Sequence, residues 1–319
     1  VLCCELAELD DPDDPDAAVR ALAALLGLPP RRGGTPAARV FGALTGRRYL
    51  LLLDNCEHLL PHLAGFIESL VRRADGSAVL ATSREPLGAD GERVCAVEPL
   101  PVRHDGSRQE PPRADAVTLF LDRAQAANPG NDPARADLPA ITELCRRLDG
   151  LPLAVELAAA RTRSLSVPGI MRRLDQQLEI LRGGPRTAAH RHHSLRAAMD
   201  WSYRLLTDRE REVFAQLGAL PEEFSLEEAV RAVTACGPEL PAAEAVTLVL
   251  GLVERSLLHH READGVSRYR MLRTVRRYAL EQLAFHRHSG RGHALADTAP
   301  NSAPEGTQNV FRSHLLSVP

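Results

Sequence analysis

An apolar run that ends in a carboxylate, Leu50–Glu57 (LLLLDNCE), carries the first chemical signal in this 319-residue sequence. Tyr49–Leu53 reads as a short strand buried on both faces, so Asp54 stands at the carboxyl end of a strand, where open α/β sheets bind ligands. A carboxylate there can hold Mg²⁺, directly or through water, against nucleotide phosphates, and Glu57, three residues on, could polarise an attacking water. The plainer alternative is an Asp that caps the next helix. A second strand end, ATSREP from Ala81 to Pro86, puts Arg84 on the same sheet edge. Its planar guanidinium suits a terminal phosphate, or else pairs with Glu85 or a helix carboxylate at the surface. The third signal is GLPLA, Gly150–Ala154. Gly150 ends one helix and Pro152 starts the next, and the apolar Leu-Pro-Leu corner could serve as an adenine wall or simply as a helix junction.

Other chemistries are excluded or weak. The chain contains no lysine, which removes Schiff-base chemistry and the phosphate-binding lysine of a P-loop. His58 and His62 flank no second ligand pair at zinc spacing, and His190, His192 and His193 lie in a polar, arginine-rich stretch that reads as a solvated loop. Cys3, Cys4, Cys56, Cys95, Cys145 and Cys236 form no C-x-x-C pair and read as reduced, mostly buried thiols. Arg268, Arg270, Arg273, Arg276 and Arg277 cluster near the last helix. Such a stripe can touch phosphates, but a solvated face is the usual outcome, and with a net charge of −3 and 4% aromatics no direct DNA contact is assigned to it.

The elements that must position these residues divide the chain. The strands Val1–Leu6, Tyr49–Leu53, Ser77–Ala81 and Val94–Val97 alternate with helices at 17–26, 35–45 and 59–74, the pattern of a parallel sheet with helices on both faces. Val1–Leu6 has no leader or cap before it, as expected of a chain that starts inside a domain. Residues 99–113 read as a linker, and from residue 114 the chain is almost entirely helical, at 115–127, 137–149, 151–163, 168–181, 194–206, 208–217, 226–235 and 242–255. Asp264-Gly265 marks a hairpin within 256–269, followed by a helix at 271–285 and a tail, 287–319, without sustained period. No run of 18 apolar residues and no secretory leader is present, so the expected location is cytoplasmic.

Taken in order, LLLLDNCEHLL, ATSREPLG, CRRLDGLPLAVELAAARTRSL and LRAAMDWSYRLL resemble the STAND class of signal-transduction ATPases, and within it the NB-ARC-like module of bacterial transcriptional regulators of the SARP and large LuxR types. The resemblance covers roughly residues 1–285. It implies an α/β, P-loop-NTPase-like domain missing its first strand (residues 1–113 with the linker), an all-α helical domain (114–190), a winged helix (191–286) and a disordered tail (287–319). It implies a regulatory module switched by ATP or ADP with Mg²⁺. By position, Asp54 matches the Walker B carboxylate that serves the metal, Arg84 the sensor arginine near the γ-phosphate, and Gly150, Leu151 and Pro152 the helical-domain motif on the adenine side. Glu57 matches an acidic position read here as the base. The implied partners are the nucleotide and effector or sensor domains of the same parent protein, with no membrane.

Two departures shape the expectation. The glycine-rich loop G-x-x-x-x-G-K-[ST] does not occur in this sequence. Without several charge-assisted contacts of ~1.5–3 kcal/mol each, nucleotide binding falls by orders of magnitude, and little or no hydrolysis is expected of this chain. By the same resemblance, close relatives usually carry an acidic residue at the position of Arg273, so a family-type ADP lock is not expected here. The implied sheet order, 5-1-4-3-2, places the missing strand between Ser77–Ala81 and Val94–Val97. Either the edge of Ser77–Ala81 stays unpaired, leaving a chain prone to associate there, or Val94–Val97 slides across to pair with it. The alternatives are a protein–protein interaction fragment that binds no nucleotide, and a winged helix that binds DNA.

Overall fold

Continuous apolar runs too short for a helix go into a sheet. β1 (Leu2–Glu5), β2 (Leu50–Asp54) and β3 (Ala78–Ala81) are parallel in the order β1-β2-β3, with Leu51 of the central strand opposite both Leu2 and Val79. The computed structural model describes all residues except 8, 10, 12–13, 30–33, 74–75, 103–114, 130–136, 175–177, 182–193, 237–239, 264 and 297–319. Helices α1 (Ala17–Leu25), α2 (Pro36–Leu44) and α3 (Leu60–Arg73) connect the strands. The start of α2 is written locally: Thr35 Oγ1 accepts the Ala38 N–H at 3.2 Å, and Pro36, which has no N–H to satisfy, takes the first turn.

Strand residues of one parity, Cys4, Leu51 and Leu53, are buried in one core with Leu22, Val40, Leu63 and Leu70 of the three helices. Residues of the other parity, Cys3, Glu5, Leu50 and Leu80, are exposed, Leu80 by 56%. The expectation of helices on both faces is therefore corrected. A parallel sheet that grows in one direction through right-handed crossovers puts every connecting helix on the same face, and covering the other face requires a reversal of strand order. The expected strand at Val94–Val97 is also corrected. These residues are unpaired coil, Val94 67% and Val97 92% exposed, so they do not slide across to β3, whose outer edge is unpaired among the described residues. The preceding loop closes on itself instead, with Glu92 accepting the Leu87 and Gly88 N–H groups at 2.9 and 2.8 Å.

The rest of the described chain shares a second core that runs from Ala116 to Ala279. Its helices are α4 (Asp115–Ala127), α5 (Leu138–Arg147), α6 (Pro152–Ala160), α7 (Val167–Leu174), α8 (Leu195–Arg204), α9 (Asp208–Leu217), α10 (Leu226–Cys236), α11 (Ala242–Glu254) and α12 (Arg273–Ala296). Single 3-10 turns at Arg161–Arg163 and Leu178–Ile180 interrupt what the sequence reads as longer helices. β5 (His259–Ala263) and β6 (Val266–Arg270) form the expected hairpin, and β4 (Glu223–Phe224) adds to β6, giving an antiparallel order β4-β6-β5. α9 opens on a capping box in which Thr207 and Glu210 satisfy each other's backbone N–H groups. α12 does not stop at residue 285 but runs to Ala296, so residues 287–296 are helix rather than tail. No proline occurs between Met271 and Pro300 to break it.

The turn between α5 and α6 is the tightest point of this core. Asp149 and Gly150 take consecutive left-handed conformations, φ 55° and 65°. The Gly150 carbonyl accepts the Leu100 N–H at 3.0 Å, and a Cβ on Gly150 would lie 2.1 Å from the Leu100 carbonyl oxygen. Asp149 Oδ2 accepts the Thr274 N–H and hydroxyl at 2.9 and 3.0 Å, so this corner caps the first turn of α12 across 125 positions of sequence. Gly150→Ala is expected to destabilise the chain by at least ~3 kcal/mol in chemical denaturation, since both backbone strain and a backbone clash must be relieved. Burial pushes the Asp149 carboxyl above its ordinary range, with the Thr274 hydrogen bonds acting against it. Its folded state thus takes up a proton more readily than the unfolded one, and its contribution to stability declines as pH rises from 3.8 toward that raised value. Asp149→Asn, which keeps an acceptor without the charge, is expected to cost little at neutral pH, whereas Asp149→Ala should cost ~2 kcal/mol by orphaning the Thr274 donors.

Candidate functional site

The carboxyl ends of β2 and β3 are tied by one side chain. Thr82, directly after β3, donates its hydroxyl to Asp54 Oδ1 at 2.5 Å, and its Oγ1 accepts the Asn55 N–H at 3.0 Å. Its backbone pairs with Leu53 and Cys56, the Thr82 N–H donating to the Leu53 carbonyl and the Thr82 carbonyl accepting from Cys56. Asn55 turns left-handed, φ 64°, a conformation that Asn tolerates better than most residues, and this swings the chain into the turn ahead of α3. Asp54 is thus held at the sheet edge, half-buried, with its carboxylate oriented by a hydroxyl.

Glu57 lies inside this turn with its side chain only 1% exposed. Its Oε1 accepts from Asn55 Nδ2 at 3.1 Å and from Trp201 Nε1 of α8 at 3.3 Å, and it faces Arg84 Nε at 3.5 Å. Arg84 also donates to the Ala198 carbonyl of α8 at 3.4 Å, while its own carbonyl accepts from Ser256 Oγ, just past α11, at 2.7 Å. Next to it, Arg255 pairs with both Glu85 and Glu210. The segment that follows β3 is therefore both part of the sheet edge and the piece that rests on α8 and the end of α11. Burial pushes the Cys56 thiol beneath this edge up to about 12, so it stays protonated and takes no part as a nucleophile.

Asp54, Glu57 and Arg84 are brought together here. Gly150, Leu151 and Pro152 are not bonded to them: the hydrogen bonds of this corner go to Leu100, Cys145, Leu148 and Val155. Leu151 is the N-cap residue of α6 and Pro152 its first residue. His190, His192 and His193 lie outside the described residues. Among the described residues, no group of three or more His, Cys, Asp or Glu side chains is placed to hold a metal. Sequence reasoning missed Thr82, Trp201 and Ser256. Only Thr82 left a local signal, a hydroxyl one residue past a strand end. Trp201 is 144 positions from Glu57, and nothing local marks the pair.

Three comparisons with known proteins bear on this chain. No family model matches it. It is 41% identical over 258 residues, 81% of its length, to proteins of Mycobacterium tuberculosis and Mycobacterium bovis described as HTH-type transcriptional regulators, and spans 28% of their length. An uncharacterized protein of Mycobacterium tuberculosis is 36% identical over 261 residues, of which this chain spans 63%. Among solved structures, a Cdc6p from Pyrobaculum aerophilum aligns at TM-score 0.36 and 14% identity over 88% of this chain and 79% of that one. A STAND protein with a tetratricopeptide repeat sensor from Pyrococcus horikoshii aligns at TM-score 0.34 and 14% identity over 93% and 40%. Among the described residues, no helix is long and apolar enough to cross a membrane.

The single tryptophan reports directly on the contact between the sheet edge and α8. Glu57→Ala removes the acceptor shared by Trp201, Asn55 and Arg84. It is expected to shift tryptophan emission to the red and to cost ~1–3 kcal/mol in denaturant titration. Unchanged emission would mean that the contact does not form in solution.

Proposed function

We propose that this chain is a regulatory, ATPase-like module of a transcriptional regulator, in which ADP or ATP at the edge of the parallel sheet biases how the sheet rests on the helices behind it. The observation that carries this reading is the double role of the segment after β3. Thr82 orients Asp54, and two residues later Arg84 bridges Glu57, α8 and Ser256. The identity to HTH-type transcriptional regulators supports the regulatory setting. The finer assignment is to the STAND class and its NB-ARC-like module in regulators of the SARP and large LuxR types. Residues 1–113 would be the nucleotide side, 114–190 a helical domain and 191–286 a winged helix built on α8–α12 with the hairpin, attached in the cytoplasm to effector or sensor domains of the parent.

In this reading Asp54 holds Mg²⁺, and a single carboxylate with a neighbouring hydroxyl suits an ion that takes its remaining ligands from water and phosphates. Bound Mg²⁺ supplies charge neutralisation for the phosphates. Gly150, Leu151 and Pro152 stay assigned to the adenine side. Glu57 is given a different role from the base read in the sequence. Buried, with three donors on its Oε1, it holds Arg84 in place rather than facing water. A terminal phosphate would compete with Glu57 for Arg84, loosening the hold on α8, and that partner exchange is the proposed switch. The backbone cradle of a P-loop is not encoded in this sequence, so turnover by this chain is expected to be absent or slow.

A second reading rests on the exposed side of the sheet. Leu50 and Leu80 there, with Val94 and Val97 nearby in sequence, favour a protein–protein interaction piece that binds no nucleotide. Calorimetric titration with ADP or ATP and Mg²⁺ separates the two. Micromolar binding, weakened about tenfold or more (~1.4 kcal/mol per tenfold) by Asp54→Ala, is the result expected of the switch. Silence with both nucleotides would favour the interaction piece.

A further inference from the structure

A cleft of about 430 Å³ opens between α5, the end of α7 and α12, in the size range of small-molecule sites. Among the described residues it is lined by five arginines, Arg146 and Arg147 of α5 and Arg273, Arg276 and Arg277 of α12, against two carboxylates, Glu143 and Glu222. Each carboxylate is already shared by two guanidinium groups. Glu143 accepts from Arg146 at 2.7 and 2.8 Å and from Arg147 at 2.8 Å; Glu222 accepts from Arg270 at 2.8 Å and Arg273 at 2.9 Å. Arg273 is held through Nη2, which leaves its Nε buried without an acceptor. Among the described residues of the lining, formal positive charges thus outnumber negative ones by three. Buried Leu174 and Leu178 give the cleft an apolar wall.

We propose that this cleft binds a phosphorylated small molecule, its phosphate oxygens held by the arginine forks of α5 and α12 and its body set against Leu174 and Leu178. Planar guanidinium groups match oxyanions in paired hydrogen bonds, and a concave site of one sign concentrates an anion more than a flat surface does. A duplex fits less well, because Glu143 and Glu222 stand among the arginines and would face its phosphates, and beyond them Arg268 is paired with Glu228. The proposal is independent of any nucleotide at Asp54. Bridging α5 and α12 would brace the corner where Asp149 caps α12.

The test is calorimetric titration of the full chain with inorganic tripolyphosphate at low ionic strength in EDTA, so that no divalent ion contributes. Saturable one-to-one binding is expected. The double variant Arg147→Gln, Arg277→Gln should weaken it at least tenfold, with folding checked by circular dichroism. Glu143→Gln should strengthen it several-fold by removing a negative charge from among the arginines, a gain that a damaged fold would not produce. Absence of binding would overturn the proposal, as would binding that ignores both substitutions. Tighter, steeply salt-dependent binding of duplex DNA at the same arginines would overturn it in favour of a nucleic-acid surface.

Discussion

Two consecutive left-handed residues hold the larger part of this molecule together. At Asp149–Gly150 the chain must leave α5, release α6 in a new direction, accept the connecting segment at Leu100 and present a carboxylate to the first turn of α12. Each demand excludes a different set of side chains. The approach of Leu100 leaves no room for a Cβ at Gly150, while Asp149 needs a short acceptor that tolerates positive φ. The dipeptide Asp-Gly meets both, and the connecting segment, α6 and α12 are fixed relative to one another through it.

The sheet is attached to this body through few, mostly polar groups. Its own core closes over one face with α1–α3, and among the described residues its contacts with the helices include Arg84, Glu85, Glu57 and the His58 ring, edge-on to Trp201 at 5.9 Å. A small polar interface of this kind, with an arginine shared between a carboxylate and a backbone carbonyl, is open to rearrangement by a competing anion. That property is what the proposed switch uses, and an apolar interface of equal area would not have it.

Local features were legible from residue types alone. Thr35 with Pro36, the LLLLD strand and the hairpin around Gly265 each carry their own geometry. The gathering of Asp54, Glu57 and Arg84 followed from strand ends sharing one sheet edge. Features that depend on distant partners were not legible. Val94–Val97 has strand-like residues yet is coil, and the one-sided placement of helices follows from strand order, which no single segment encodes. The burial of Glu57 against Trp201 is likewise invisible in its own neighbourhood.

The cap on α12 also has a kinetic side. Its acceptor lies 125 residues upstream of its donor, and closing a loop of that length costs about 4 kcal/mol of chain entropy before the hydrogen bonds form. The last helix therefore gains its anchored first turn only after the α5–α6 corner exists. Until then the Asp149 carboxylate stays in water. During synthesis from the N-terminus, that corner must wait for residues near 274 to emerge before the larger core can close.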